Sequence, residues 1–303
     1  MGPTGSGKSD LAVQLALEFG GEVINCDSLQ FYRGLDIGTA KLRPEERGGV
    51  PHHLLDFLEP DETFTAGEFA RRARPLLSDI AQRGRLPIVC GGSGFYLRAL
   101  LDGLFEGPSA DPELRVRLAR VEVRRPGRLH RCLAKLDPPS ARRIAAQDVN
   151  KVIRAVEVCL LERRALSELQ AERGRAALTG FRSLLLGLDP PREALYAKIN
   201  SRVEQMFSGG LLEEIQQLCA AGYSAETKAF EAVGYRQASR HLAGEWDLAT
   251  AIADTQQRTR NYAKRQWTWF RRDARVQWLS GFGADDAVRC IASGHLRKFM
   301  ANA

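Results

Sequence analysis

The chain has 303 residues, of which 44% are hydrophobic, and it carries a formal net charge of +7. No apolar run approaches the roughly 18 residues of a membrane-spanning helix, and the six cysteines are scattered without a C-x-x-C pair. Membrane spans, zinc sites and disulfide frameworks are therefore not indicated. We expect a cytoplasmic protein with reduced thiols, no membrane association and enough residues for two domains.

A phosphate-binding loop opens the chain. Four variable positions separate Gly2 from the last three residues of the Walker A pattern, and the loop consists of Gly2, Pro3, Thr4, Gly5, Ser6, Gly7, Lys8 and Ser9. In such a loop, backbone N–H groups surround phosphate oxygens, Lys8 neutralises their charge and Ser9 can bind Mg²⁺. The apolar spacing of Asp10–Phe19 predicts a helix whose N-terminus faces the phosphates. The pattern indicates a bound polyphosphate but does not say whether it is a nucleotide.

Only Met1 precedes this loop, whereas a phosphate loop ordinarily follows a buried parallel strand. An empty place in the middle of a parallel sheet would leave backbone groups without hydrogen bonds. We therefore expect about ten apolar, β-branched residues before Met1 in the native protein, enough for one strand.

Strands and helices alternate through the first hundred residues. The pattern predicts, in order, a strand at Gly21–Asp27, a helix at Phe64–Arg83, a strand at Leu86–Cys90 and a helix from about Phe95 to Leu104. This alternation is typical of a mostly parallel α/β sheet with active residues at the carboxyl ends of its strands. Asp27 and Ser93 come at the ends of the two strands, so we expect both to lie beside the phosphate loop.

Several side chains near these strand ends could carry chemistry. Asp27 could bind magnesium, accept a proton from an incoming amine or hydroxyl, or cap a helix, and its spacing does not separate these roles. Ser93 lies in a Gly-Gly-Ser-Gly turn whose free amides and hydroxyl suit a substrate. Thr39 and Lys41, in the loop Gly34–Lys41, suit contact with a phosphate or an RNA backbone.

The pattern changes between residues 108 and 180, where helical segments follow one another without a credible strand. They are Asp111–Val123, Arg128–Leu136, Ser140–Ala146 and Val149–Leu161. This segment holds 16 Lys and Arg against 9 Asp and Glu, a net charge of +7 that equals the charge of the whole chain. We interpret residues 108–180 as a basic α-helical insertion domain within an α/β core formed by residues 1–107 and 181–303.

The core resumes with a strand and closes mainly with helices. The predicted elements are a strand at Arg182–Gly187, helices at Arg192–Phe207, Gly210–Ala221, Phe230–Leu242 and Trp246–Arg272, a strand at Arg275–Leu279 and a helix at Asp285–Lys298. The segment Thr255–Arg275 carries seven Lys and Arg against Asp273 alone, interleaved with Tyr262, Trp267, Trp269 and Phe270. Basic residues beside aromatics suit nucleic acid, although a solvated helix whose aromatics face the core explains this cluster equally well. Two basic clusters in one chain with a phosphate loop favour nucleic acid.

Eight motifs follow one another along the chain: GPTGSGKS, NCDSLQFY, DIGTAK, PHHLLD, GGSGFYLRAL, NKVIRAVEV, VGYRQ and YAKRQWTWFR. Together, from Gly2 to about Arg272, they resemble the tRNA dimethylallyltransferase family in its bacterial form. The resemblance implies a P-loop NTPase-like parallel-sheet core. It also implies transfer of the dimethylallyl group from dimethylallyl diphosphate to N6 of the tRNA adenosine directly 3′ of the anticodon. The loop would then hold the diphosphate of the donor and would not need ATP for catalysis.

The resemblance also implies roles for individual residues. Asp27 resembles the general base that takes the proton from the adenine amine, and Ser93 stands where the family usually has threonine. Lys8 and Arg236 look like the pair that holds the diphosphate, assisted by Ser9 and Mg²⁺. Contact with tRNA is implied for Asp27, Ser28, Leu29, Gln30, Ser93, Arg115, Asn150, Lys151, Val152, Ile153, Arg154, Val233, Gly234, Tyr235, Arg236 and Gln237. The basic insertion would hold the anticodon stem-loop, and a monomer is expected on the same ground.

Three other functions remain open. A related adenylate isopentenyltransferase would prenylate free AMP, ADP or ATP and would need neither the basic insertion nor the tryptophan-rich tail. A P-loop kinase of a small metabolite would turn over ATP. An RNA-binding module without enzymatic activity would not need a phosphate loop beside a carboxylate at a strand end.

Overall fold

The computed structural model describes residues 1–224 and 227–302, and the chain divides into two compact units. The first unit consists of Met1–Leu100 and Thr179–Ala303, and the second is the intervening segment Leu101–Leu178. The second unit therefore begins seven residues before the predicted insertion, 108–180, and ends two residues before its end. Within the described ranges, no helix is both long and apolar enough to cross a lipid bilayer.

Parallel strands form two small sheets in the first unit. In chain order the strands are β1 (Gly21–Asn25), β2 (His52–His53), β3 (Leu86–Cys90), β4 (Leu185–Leu188) and β5 (Val276–Leu279). The spatial order of the first sheet is β2-β1-β3, and β4 pairs with β5 in the second. Val23 lies opposite His52 on one side and Ile88 on the other, in parallel register. The predicted α/β class with parallel strands is confirmed, although β2 was not predicted because it is only two residues long.

Helices make up most of the rest of the described chain. In chain order they are α1 (Lys8–Phe19), α2 (Ala66–Gln82), α3 (Gly94–Leu101), α4 (Pro112–Arg124), α5 (Arg128–Leu136), α6 (Pro138–Arg143), α7 (Val149–Glu162), α8 (Leu166–Arg173), α9 (Arg192–Ser208), α10 (Leu211–Ala220), α11 (Tyr235–Leu242), α12 (Leu248–Phe270) and α13 (Asp286–Ala301). The predicted helices agree with these to within a few residues at most positions. The sequence analysis missed α8, which has no side-chain hydrogen bond at its N-cap, Ala165, to mark its start.

Helix α1 is buried on two sides, which fixes the phosphate loop at its N-terminus. Ala12 and Val13 pack against Val23 of β1. Leu11 and Leu15 pack in a second cluster with residues of β4, β5 and α13. Two buried faces leave the helix little freedom to move.

Met1 extends the second sheet by one residue. Its amino group donates to the carbonyl of Leu186 at 2.7 Å, and the N–H of Leu188 donates to the carbonyl of Met1 at 2.9 Å. These two hydrogen bonds have the pattern of a parallel ladder. The expectation of a strand before Met1 stays a prediction.

The second unit packs helices α4 to α8 around one apolar core. Buried members of this core include Leu118, Leu133, Val156 and Leu169. The buried carboxylate of Glu157 lies beside this core, in the middle of α7. A buried carboxylate needs charged or hydrogen-bonding partners, so the cations around Glu157 serve the stability of this unit.

One predicted helix is wrong. The pattern predicts a single helix at Phe230–Leu242, whereas the chain forms a 3₁₀ turn at Lys228–Glu231 and then begins α11 at Tyr235. Gly234 interrupts the helix because its φ is +98°, a conformation that an α-helix cannot contain.

The loop Asp36–Lys41 is anchored by hydrogen bonds to a buried side chain of the first unit. The carboxylate of Glu214 accepts hydrogen bonds from the N–H of Asp36 at 3.0 Å and from the N–H of Ile37 at 2.7 Å, and it also accepts one from the Tyr235 hydroxyl. The prediction that Lys41 contacts a phosphate or RNA is wrong. Its ammonium is buried and donates to the carboxylates of Asp36 and Asp56.

Gly38→Ala tests this packing. A methyl group at position 38 would lie 2.4 Å from Cε2 of Tyr235, which is fully buried and cannot yield. We expect the free energy of unfolding to fall by about 1–3 kcal/mol, measured by urea denaturation. Gly294→Ala in α13, where the methyl group meets nothing within 4 Å, is the matched control and should be neutral or slightly stabilising. Equal stability of the two variants would contradict the packing argument.

Candidate active site

The phosphate loop has the backbone shape that an anion cradle needs. Gly5 and Gly7 have φ angles of +81° and +82°, which residues with a side chain rarely adopt. Ser6 is buried, and its hydroxyl donates to the carbonyl of Pro3 at 2.8 Å, which closes a tight turn. Helix α1 begins directly after Gly7, so its free N–H groups point toward the loop. A helix N-terminus combined with a lysine attracts phosphate.

Lys8 is the cation of this loop. Its ammonium donates to the carbonyl of Pro3 at 2.8 Å. Loss of water around the ammonium lowers the pKa of Lys8 to about 8; the negative charge of Asp27 opposes this change and the positive charge of Arg202 adds to it. A dehydrated ammonium group gains more interaction energy from an anionic ligand than a fully hydrated one does.

Asp27 lies two residues beyond β1, on the same side of the sheet as the loop. Its Oδ1 accepts a hydrogen bond from the N–H of Leu29 at 3.1 Å. Residues 28–31 form a turn, so the alternative that Asp27 caps an α-helix is wrong. The charge of Asp27 acts on both Lys8 and Arg202.

Ser93 meets the same turn from β3. Its Oγ accepts a hydrogen bond from the N–H of Ser28 at 3.1 Å, and its own N–H donates to the carbonyl of Cys26 at 3.2 Å. A methyl group at Gly91 would lie 2.0 Å from the Cys26 carbonyl oxygen, so only glycine allows the two strand ends to approach this closely. The structure thus brings Lys8, Asp27 and Ser93 into one site.

Sequence reasoning missed Arg202, which reaches the loop from α9. Its Nη2 donates to Oγ1 of Thr4 at 2.8 Å. Its Nε is buried and has no hydrogen-bond partner among the described residues. Burial lowers the pKa of Arg202, and Asp27 partly offsets this. No motif surrounds Arg202, and only its place beside the apolar positions Ile199 and Val203 of a predicted helix could have drawn attention to it.

Gln266 and Tyr262 of α12 complete the site. The Gln266 side chain accepts from the N–H of Thr4 at 2.7 Å and donates to the carbonyl of Gly92 at 2.9 Å. The Tyr262 hydroxyl lies near Gln266 and Ser93, and burial raises its pKa above the ordinary range. The sequence indicates Tyr262 only as an aromatic residue in a basic cluster, and Gln266 lies in the motif YAKRQWTWFR without a predicted role.

The aromatic cluster of α12 divides between core and surface. Trp267 and Phe270 are buried, as the alternative of a helix with aromatics facing the core predicts. Trp269, in contrast, is 39% exposed and packs edge-to-face with Phe95 at a centroid distance of 6.5 Å. Phe95 is two residues from Ser93, so an exposed aromatic pair lies beside the site.

Arg236 is not joined to the loop. Its side chain is exposed on the first turn of α11 and forms no hydrogen bond within the described part of the chain. Its predicted role in holding the diphosphate therefore stays a prediction. The neighbouring side chains of Tyr235 and Gln237 are buried, where Tyr235 bonds to Glu214 and Gln237 to Asp254, and contact of tRNA at these positions stays a prediction. Gly234 is also buried, and Val233 is partly exposed.

In the second unit, some residues with predicted tRNA contacts are engaged in ion pairs or buried. Arg115 binds Glu157 through two hydrogen bonds of 2.9 Å, and Arg154 binds the same carboxylate at 2.6 Å. Val152 and Ile153 are buried in the core of this unit, and contact of tRNA at these positions stays a prediction.

Other predicted tRNA contacts remain accessible. Asn150 and Lys151 are exposed, and Lys151 forms an ion pair with Asp148. Ser28, Leu29 and Gln30 are partly exposed in the turn that holds Asp27. For these residues, contact with tRNA stays a prediction.

A magnesium site would have to rest on few protein ligands. No group of three or more His, Cys, Asp or Glu side chains that could hold a metal ion occurs in the described residues. The Ser9 hydroxyl lies within hydrogen-bond reach of the Cys90 thiol, at the start of α1. Mg²⁺ commonly binds through one or two protein oxygens together with water and substrate phosphates. A single hydroxyl beside a phosphate cradle fits this type of site.

Comparison with known proteins assigns the family. The IPP transferase family model matches residues 30–273. The chain belongs to the IPP transferase family. It is 56% identical to the tRNA dimethylallyltransferase of Solibacter usitatus (strain Ellin6076), over 99% of this chain and 97% of the relative.

Two solved structures agree with this family. One is a tRNA delta(2)-isopentenylpyrophosphate transferase from Staphylococcus epidermidis, with 33% identity and a TM-score of 0.70 over 100% of this chain and 98% of that chain. The other is a eukaryotic dimethylallyltransferase acting on tRNA, with 28% identity and a TM-score of 0.84 over 99% of this chain and 78% of that chain.

The lowered pKa of Lys8 predicts proton uptake when a diphosphate binds. At pH 8.5 most Lys8 is neutral in the free protein because its pKa is about 8. Diphosphate oxygens favour the charged form, so binding should take up most of one proton and should weaken as the pH rises above 8. Calorimetric titration with dimethylallyl diphosphate in two buffers of different ionisation enthalpy measures this uptake.

Lys8→Arg is the control for proton uptake, because arginine stays protonated and should bind without it. Uptake that is equal in the variant and the wild type would show that another group titrates.

Proposed function

We propose that this protein transfers the dimethylallyl group of dimethylallyl diphosphate to N6 of the adenosine directly 3′ of the anticodon in tRNA. The family and the 56% identity to a tRNA dimethylallyltransferase support this reaction. The observation that carries it is the approach of the two strand ends to the phosphate loop: a methyl group at Gly92 would lie 3.8 Å from Cε of Lys8, and the next residue, Ser93, accepts a hydrogen bond from the turn that follows Asp27. Such a site can hold a diphosphate and accept a proton from an attacking group.

The chemistry requires both halves of this site. The exocyclic amine of adenine is a poor nucleophile because its lone pair is delocalised into the ring. In the reaction, N6 forms a bond to C1 of the dimethylallyl group, the bond between C1 and the diphosphate oxygen breaks, and the carboxylate of Asp27 receives the N6 proton. Rate must come from positioning, from the base and from stabilisation of the departing diphosphate.

The positive charge beside the leaving group comes from Lys8 and Arg202. Arg202 donates to Thr4 of the loop and retains a buried Nε without a partner in the described residues. An arginine with free donors suits phosphate oxygens. Arg236 is a further candidate for this role, and Ser93, beside Asp27, is a candidate to orient the adenine. Mg²⁺ bound at Ser9 would neutralise part of the diphosphate charge.

We also propose that the first unit is a P-loop NTPase-like core. Three features support this fold: a loop of Walker A sequence at the start of α1, parallel strands on either side of it, and Met1 in ladder-type hydrogen bonds with β4. The diphosphate of the donor occupies the loop in this proposal, and the reaction consumes no ATP.

The second unit is proposed to bind the anticodon stem-loop. Three arginines, Arg117, Arg120 and Arg124, follow one face of α4 at helical spacing and are exposed. Their side chains form no ion pair with any residue in the described ranges. Unpaired cations in a row suit successive phosphates of an RNA backbone. The target adenosine has to leave its stack to reach Asp27. We propose that the protein works as a monomer in the cytoplasm, where tRNA is modified.

The decisive experiment incubates the protein with dimethylallyl diphosphate and unmodified tRNA, followed by nucleoside analysis. Dimethylallyladenosine from tRNA supports the proposal. Modification of AMP but not of an anticodon stem-loop favours the free-nucleotide enzyme, and phosphate release from ATP without tRNA favours a kinase.

Asp27→Asn tests the base. Removing the proton acceptor should lower kcat about 10²- to 10⁴-fold while tRNA binding stays near the wild-type value. Rates of nucleoside formation and filter binding measure the two quantities. Asp61→Asn, which changes an exposed carboxylate, is the control and should leave both unchanged. A near-normal kcat for Asp27→Asn would remove this residue from the mechanism.

The arginine row predicts a change in salt dependence. Replacing Arg117, Arg120 and Arg124 together by glutamine should weaken tRNA binding and should reduce the slope of log K against log salt by about two to three. The matched control replaces Arg164 and Arg173, which are paired with Glu172 and Glu162. An unchanged slope for the triple variant would mean that tRNA phosphates lie elsewhere.

A further inference from the structure

Gln266 connects the two loops that hold the two halves of the site. Its Oε1 accepts from the N–H of Thr4 at 2.7 Å, and its Nε2 donates to the carbonyl of Gly92 at 2.9 Å. Thr4 belongs to the phosphate loop, and Gly92 is the residue before Ser93. One side-chain amide therefore spans from the donor side of the site to the acceptor side.

The position of this amide is fixed by its surroundings. Gln266 is 4% exposed, and the adjacent Trp267 packs with Ala263, Leu195 and Ile199 where α12 meets α9. Ile199 and Leu195 also lie against Gly5 of the phosphate loop. The packing between α9 and α12 that holds this amide therefore also supports the phosphate loop.

Gly92 is shaped to receive Gln266. A methyl group at position 92 would lie 2.2 Å from Nε2 of Gln266, which is well inside the closest contact between such atoms. The absence of a side chain at Gly92 allows the amide to approach its carbonyl. The glycine and the glutamine form one contact, although 174 residues separate them in the sequence.

Thr4 receives a second contact, from Arg202 to its hydroxyl. The loop around Thr4 contains three glycines with positive φ, Gly2, Gly5 and Gly7, and has few side chains of its own to hold it. The hydrogen bonds to the backbone and the hydroxyl of Thr4 therefore add to the packing of α1 and to the hydrogen bond from the N–H of Gly283 to the Ser6 carbonyl in fixing where the loop lies.

We infer that Gln266 is a positioning residue that sets the distance between the diphosphate cradle and the Ser93–Asp27 side of the site. In a displacement reaction, a misplacement of about 1 Å costs about 10²-fold in rate, even when both substrates still bind. The effect of this position on the rate rests on the proposed function.

Gln266→Met removes both hydrogen bonds and keeps the size of the side chain. We expect kcat for tRNA prenylation to fall about 10- to 100-fold, with KM for tRNA near the wild-type value and a smaller change in KM for dimethylallyl diphosphate. Gln266→Asn keeps the amide but is one methylene shorter, so it cannot reach both partners and should lose kcat as well. Gln257→Met, on the exposed face of the same helix, is the control and should behave as the wild type.

A second readout does not depend on catalysis. Hydrogen–deuterium exchange of the peptide that covers residues 1–9 reports the protection of the Thr4 amide. Gln266→Met should speed exchange in this peptide, and Gln257→Met should not. Unchanged exchange in Gln266→Met would overturn the connection itself.

The outcomes separate the two claims. Faster exchange with a wild-type kcat, or a fully active Gln266→Asn, would overturn the positioning role. A rise in both KM values with an unchanged kcat would overturn the positioning role as well, because it would show that Gln266 serves substrate binding. If the wild type forms no dimethylallyladenosine on tRNA, the proposed function fails, and exchange still decides whether Gln266 holds the loop.

Discussion

The balance of charge around Asp27 is the constraint on which the rest of the site depends. Burial lowers the pKa of both Lys8 and Arg202, and the negative charge of Asp27 partly offsets this for both cations. Without Asp27, two cations near one loop would be unfavourable in the free protein. In the proposed reaction the carboxylate loses its charge when it accepts the N6 proton, just as negative charge develops on the departing diphosphate. Lys8 and Arg202 can then stabilise the departing diphosphate in place of the Asp27 carboxylate. Proton transfer to Asp27 and departure of the diphosphate therefore favour each other.

Close approach of backbone segments makes this arrangement possible. At Gly91 a methyl group would overlap the end of β1, and at Gly94 it would lie 2.1 Å from Cδ1 of Trp269. The Gly-Gly-Ser-Gly segment therefore places Ser93 between a strand end and helix α12, with glycine where each neighbour comes nearest. The sequence analysis attributed these glycines to free amides for a substrate. The packing of the folded chain gives a second reason for them, which no local pattern contains.

Features that depend on short stretches of sequence could be predicted. The phosphate loop, the strands before Asp27 and Ser93, and most helix positions follow from spacing and from apolar periodicity. Arg202 and Gln266 could not be predicted in this way, because each acts through a partner about 200 residues or more away in the sequence. For the same reason, the motif that contains Tyr235 and Gln237 does not indicate that both residues are buried. A motif marks which segment matters, but tertiary contacts decide which of its side chains face a ligand.

In the second unit, the net charge differs from the charge that is available to a ligand. The segment 108–180 has a net charge of +7, but several of its cations are already engaged by carboxylates. Arg115 and Arg154 share the buried Glu157, and their removal would leave an uncompensated charge in the core. In the proposed function, the cations left for an RNA backbone lie on exposed rows such as the one on α4, whose three arginines form no ion pair with the described residues. Binding strength should therefore follow the number of unpaired cations on these rows, and the net charge of the segment overstates it where cations are shared with internal anions.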